Sequence, residues 1–301
     1  MNWHLPICRR TTAPRVSSKP LHPRNDLKLE TVKTAQQLNR SSSILAGSVL
    51  LDSAIEHYRG SFHNPAMLTP IATSLVALLA ALHGLTDDRT VKHRTRDKVF
   101  WLTAATGLVG TGFHLYNVTK KPGGLSWQNL FYSGPLGAPA AIGLSGLFGL
   151  LAERVRDTQP TESPRLLGRS AGRVLGLVTA ASLLGTSGEA GLLHFRGAFH
   201  NPAMYLPVSM PPVAAALLVK ASLSSSRENH RLTRGWLGLT SLMGLAGVGF
   251  HIFGVSRAMG GWRNWRQNMI DGPPIPAPPS FVALSLCGLA ALSLMRAHPD
   301  E

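Results

Sequence analysis

The chain has 301 residues, a formal net charge of +15 and only 15% Asp, Glu, Lys or Arg, where roughly 25% is usual for soluble globular chains. Its positive residues fall in short connectors between long apolar runs and do not cover one soluble face, which excludes nucleic-acid binding. Two cysteines, Cys8 and Cys287, exclude a disulfide framework and a Cys-rich zinc or iron–sulfur site.

Residues 1–41 read as a basic, disordered cytoplasmic tail. No apolar stretch follows closely enough for a cleaved secretory signal, and an organellar transit peptide is the alternative. Eight membrane-spanning helices of the length a bilayer requires are predicted at 42–59, 67–85, 99–118, 137–154, 173–195, 205–223, 235–256 and 279–296. They group into an all-α, polytopic architecture of two parallel tandem four-helix repeats, 42–156 and 173–298, joined by a cytoplasmic linker at 157–172. About 22 of the 30 Lys and Arg fall on one side. The positive-inside rule makes that side cytoplasmic, with both termini on it. A multi-pass protein of a bacterial inner membrane is expected, with the lipid bilayer as its first partner.

Self-comparison supports the repeats. His57-Tyr-Arg-Gly-Ser-Phe-His-Asn-Pro-Ala-Met67 recurs as His194-Phe-Arg-Gly-Ala-Phe-His-Asn-Pro-Ala-Met204, identical at nine of eleven positions with an offset of 137. The same offset maps Gly107, Gly110 and His114 onto Gly244, Gly247 and His251, and Asp52 onto Glu189. With a small slip, Trp127-Gln-Asn129 matches Trp265 with Gln267-Asn268, and Gly134-Pro135 matches Gly272-Pro273.

Six histidines form the repeated set and are the candidate metal or haem ligands: His57, His63, His114, His194, His200 and His251. His57 and His114 belong to spans that run the same way, so their imidazoles reach similar depths on the outer side. Gly110 and Gly107 lie four and seven positions before His114, on its face of the helix. Gly247 and Gly244 repeat this below His251. Such a face admits a flat macrocycle or the backbone of another helix. Asn64-Pro65 and Asn201-Pro202 suit an N-cap followed by the first helical position. Arg59 and Arg196 suit headgroup anchoring or an acidic ligand group. Asp52 and Glu189 are intramembrane carboxylates, costly at roughly 3 kcal/mol, and so candidates for a proton relay or for orienting a ligand histidine. Met67 and Met204 read as apolar filler, or as soft copper ligands. Trp127, Trp262 and Trp265 fit an aromatic belt. The unrepeated His83, His93, His230 and His298 are expected to face water.

These residues point first to a redox membrane protein with a haem b in each half, held by His57 with His114 and by His194 with His251. It would exchange electrons with a quinone or an outer-side redox protein. The alternatives are a copper or other transition-metal transport or delivery protein, a proton-coupled transporter using Asp52 and Glu189, and a structural membrane subunit. No connector carries a nucleotide loop or a nucleophile motif.

Overall fold

In the computed structural model the described residues are 23–297, except 90, 133, 159–162, 167 and 225–229. The expected tail over 1–22 and His298 lie outside them. Among the described residues there are ten α-helices. The first half holds α1 (Pro23–Arg59), α2 (Thr69–Thr86), α3 (Arg94–Thr119), α4 (Trp127–Tyr132) and α5 (Gly137–Asp157). A two-residue hairpin, β1 (Arg165–Leu166) with β2 (Arg169–Ser170), leads into the second half. There the same order of elements follows as α6 (Ala171–Arg196), α7 (Leu206–Leu223), α8 (Arg231–Arg257), α9 (Trp265–Asp271) and α10 (Pro279–Ala297).

Each half closes as a ring of four long helices. α1 packs on α2 and α5, and α3 packs on α2 and α5; likewise α6 packs on α7 and α10, and α8 on α7 and α10. The rings join where α1 lies along α10, and α5 touches α6. Small and hydroxylated residues let the backbones approach, as is usual between membrane helices. Ser42 Oγ donates to the Ser145 carbonyl at 2.8 Å and Ser145 Oγ returns a bond to the Ser42 carbonyl at 3.0 Å. Leu38, Leu45, Phe148, Leu183, Leu218 and Leu284 fill the shared core.

Large apolar side chains also cover the outside. Leu75, Leu79 and Leu82 on α2, Trp101, Leu108 and Phe113 on α3, and Leu242, Leu245 and Phe250 on α8 are all exposed. So many exposed large apolar side chains are a liability in water and suit hydrocarbon. Five helices are long and apolar enough to cross a membrane: α2 with its preceding turn, α5, α7 with its preceding turn, α8 and α10. Five such segments mark a multi-pass membrane protein. The other three long helices carry several of the repeated polar groups: Asp52 and His57 on α1, His114 on α3, and Glu189 and His194 on α6, while His251 lies on α8.

Two expectations need correction. α1 begins at Pro23, not near residue 42, so the second part of the expected disordered tail is helix. Val32, Ala35 and Leu38 on that extension are buried, and Gln37 Nε2 donates to the Leu286 carbonyl of α10 at 2.9 Å. A segment that polar reads as a tail, but its apolar residues share one face and α10 covers that face. The slip in the second-half loop is also two residues, not one, at its end. Pro139 packs on Gly107 and Gly110, and Pro278 takes that place against Gly244 and Gly247; by the same count Pro135 corresponds to Pro274.

Candidate functional site

The repeated loop motif builds the site from the end of α1. Phe62 N–H donates to the His57 carbonyl at 3.0 Å and Ser61 N–H to the Tyr58 carbonyl at 2.9 Å, the pair of bonds that closes a Schellman cap. That cap normally ends on glycine. Here Ser61 has φ 59° and Phe62 φ 46°, and Ala198 and Phe199 repeat the strain at 53° and 45°. Side chains in this region cost of order 1–3 kcal/mol each and cluster at functional sites. The chain then turns back through Asn64, whose Oδ1 accepts from Ala66 N–H at 2.9 Å, with Pro65 opening a short 3-10 turn; Asn201 and Pro202 do the same, again at 2.9 Å.

This return brings the Met67 carbonyl to 2.6 Å from His57 Nδ1 and the Met204 carbonyl to 2.8 Å from His194 Nδ1. The Phe62 ring meets His57 edge-on at 6.4 Å, and Phe199 meets His194 at 6.2 Å. On the partner helices, His114 bonds the Pro135 backbone carbonyl, and His251 Nδ1 lies 2.7 Å from the Pro274 carbonyl. A carbonyl oxygen only accepts. The ring nitrogen facing it therefore carries the proton, and for His57, His194 and His251 this leaves Nε2 with a free lone pair. Within each half the two histidines, His57 with His114 and His194 with His251, sit close enough to feel each other's charge.

His63 and His200 are exposed, and each bonds within its own turn, Nδ1 to the carbonyl of Gly60 or Gly197 at 3.0 Å. The thioether of Met67 packs on Gly60 and that of Met204 on Gly197, an apolar filling role. Arg59 pairs with Glu56, while Arg196 lies 5.0 Å over the Phe131 ring.

Of the two occupants the glycine faces admit, the backbone of another helix is the one found. A Cβ on Gly107 would strike the backbone of Gly143 and lie 2.8 Å from the Pro139 carbonyl oxygen; one on Gly244 would lie 2.9 Å from the Pro278 carbonyl oxygen. α5 and α10 fill these faces, so Gly107, Gly110, Gly244 and Gly247 serve helix packing and do not face a cofactor. The carboxylates are a correction as orienting partners of the histidines. Nδ1 of the site histidines is oriented by backbone carbonyls and not by Asp52 or Glu189. Those two lie instead within electrostatic range of each other between the halves, and Glu189 accepts the Gly137 N–H. At the position equivalent to Gly137, two residues displaced, stands Pro276, which has no N–H to offer Asp52. Among the described residues, no group of three or more His, Cys, Asp or Glu is placed to hold a metal ion.

No family model, curated protein or solved structure matches the chain.

The opposite end of the first half holds a polar cluster that sequence reasoning missed. Asp87 accepts from Arg96 Nη1 and Arg89 Nε, both at 2.9 Å, and lies 3.2 Å from His93 Nε2 and 3.3 Å from Arg156 Nη1. Arg96 Nη2 also reaches Glu153 at 2.8 Å, and Arg156 Nη2 the Gly84 carbonyl at 2.6 Å. Glu153 and Arg156 are 0% exposed. Burial pushes the Asp87 carboxyl up, but the hydrogen bonds from Arg89 and Arg96 outweigh it and hold it well below the usual carboxylate range. His83 Nδ1 accepts from Arg96 Nη1 at 3.1 Å, so His83 and His93 belong to this cluster and do more than face water. Comparing the halves would have exposed it: Glu153 and Arg156 correspond to Leu292 and Met295, both buried.

Proposed function

We propose that the chain is a tandem duplication of a four-helix unit, with eight membrane spans and both termini cytoplasmic. Each half then holds one haem b near the outer surface, ligated by His57 and His114 or by His194 and His251, in an electron-transfer role with an outer-side partner. The ring geometry carries this reading. Ligand histidines nearly always donate their second nitrogen to a carbonyl or carboxylate, which aims and enriches the ligating one, and the Nδ1 bonds to Met67, Met204 and Pro274 are of that kind. Haem asks the protein for only two axial ligands, and each half offers two imidazoles for that role. When bound it supplies a one-electron centre. The chain's own residues orient the imidazoles and shield them with Phe62 and Phe199. The glycine faces do not support the reading, since neighbouring helices occupy them. A copper ion is the alternative occupant, and it would need donors beyond the two imidazoles.

An absorption spectrum of detergent-purified protein, with elemental analysis, tests both. Haem gives a Soret band that shifts on reduction; copper gives metal without that band. His114→Ala and His251→Ala should each remove about half of the bound cofactor, as expected when a bis-histidine centre loses a ligand. Full occupancy in both variants ends the assignment.

A further inference from the structure

At the histidine end, the seam between the halves opens into a cleft of about 430 Å³ lined by Tyr58, Arg59, Ser61, Phe62 and Ile270. The cleft is shallow and open, so a flat ring can lie against its wall with its other face uncovered. One wall is the end of α1 with its strained turn; the other is α9 of the second half.

The corresponding place across the seam is built from Phe195, Arg196, Ala198 and Phe199 against Phe131. There two side chains meet the Phe131 ring. Arg196 lies 5.0 Å over the Phe131 ring, and Phe195 meets that ring edge-on at 5.9 Å. In the open version Ile270 stands where Phe131 does, and Arg59 pairs with Glu56 while donating to the Ile270 carbonyl at 3.4 Å.

The two versions also differ in chemistry. Leu193, Phe195 and Ala198 correspond to Glu56, Tyr58 and Ser61, and Tyr205 to Leu68. Three differences add a hydrogen-bonding group at or beside the first-half cleft, while Tyr205 stacks on Phe199 at 4.5 Å in the second half. Glu56 answers Arg59. Arg266 lies 5.2 Å over the Tyr58 ring, and Asp271 follows Ile270 in the same helix. Glu56 thus offsets the one charged residue of the lining, so the cleft suits a neutral ligand with polar edges and a flat apolar body to lie against Tyr58 and Phe62.

We propose that this cleft binds the ring of a membrane-soluble quinone or quinol, and that its counterpart, where Arg196 and Phe195 meet the Phe131 ring, does not. The choice of a quinone among neutral amphiphiles rests on the redox reading above; the cleft's preference for a neutral polar ring does not. An occupant against Phe62 is one side chain away from His57.

The full-length, cofactor-loaded protein in detergent is titrated with a short-chain benzoquinone, following tryptophan fluorescence for affinity and equilibrium dialysis for stoichiometry. The variant combines Glu56→Leu, Tyr58→Phe and Ser61→Ala, the residues the second half already carries on the same backbone. The wild type is expected to bind one quinone per chain. The variant should bind roughly tenfold more weakly, as when hydrogen-bonding groups leave a site, with an unchanged cofactor spectrum. Equal binding by the variant, two quinones per chain, or no saturable binding overturns the proposal. Protein that takes up no haem yet binds one quinone defeats the haem assignment and keeps the cleft. Haem-loaded protein that binds none does the reverse.

Discussion

Gly107 faces the Pro139 carbonyl so closely that a Cβ there would lie 2.8 Å from its oxygen. The first-half ring therefore closes at this point only because the residue has no side chain. Gly107→Ala should destabilise the protein by roughly 1–3 kcal/mol, the usual cost of overpacking, and Gly244→Ala should act likewise in the second half. Gly112, five residues along, has nothing within 4 Å of its would-be Cβ, so Gly112→Ala should be neutral or slightly stabilising. Thermal unfolding in detergent separates the three; a Gly107→Ala protein as stable as wild type would mean that α3 and α5 do not meet this way.

Asp87 is the hub of a buried charge cluster. Asp87→Asn removes a carboxylate that Arg96 and Arg156 both face, and breaking such a pair typically costs about 3–5 kcal/mol. The pH dependence follows from the sign of the shift. The folded carboxyl is held below its ordinary value, so its contribution is complete above the unfolded value of about 4 and is lost as pH falls through the lower folded value. The stability gap between wild type and variant should stay constant from neutral pH to about 4 and narrow only below that. A gap that closes between pH 7 and 5 would contradict the depressed carboxyl.

Ser61 and Ala198 hold left-handed backbone at the cap position where glycine is favoured. Ser61→Gly and Ala198→Gly should each raise stability by about 1 kcal/mol, the relief of a side chain from that region. Differential scanning of the purified variants reads this directly; an unchanged midpoint in both would mean that the turn relaxes in the membrane.

The six repeated histidines should separate by role. His63 and His200 are exposed and bonded within their own turns, so His63→Ala and His200→Ala should leave cofactor content intact. His57→Ala and His194→Ala should each lower it by about half, since each removes a ligand from one of two centres. Loss of cofactor in the His63 variant would shift the ligand set into the loop.

The long helices were legible because an apolar run of bilayer length permits little else, and the observed bounds fall within a few residues of the predicted ones from α2 onward. The start of α1 was not legible. Gln37, Asn39 and Arg40 look like tail residues until α10 is known to lie alongside. The partners of His57 and His251 were hidden for a different reason: they are carbonyls, and any residue supplies a carbonyl. The glycine faces permitted two readings from sequence, and only the position of Pro139 and Pro278 decides between them. The Asp87 cluster was hidden because its members lie on three segments and each alone resembles a loop charge.

The acceptors that hold the site rings belong to the main chain at Met67, Pro135, Met204 and Pro274. No single substitution at those positions can delete them. The orientation of the imidazoles is thus inherited with the shape of the loops and buffered against side-chain substitution at the acceptor positions. A swap of Met67 or Met204 for another apolar residue leaves the aim of the neighbouring ring untouched; shortening either loop by one residue destroys it.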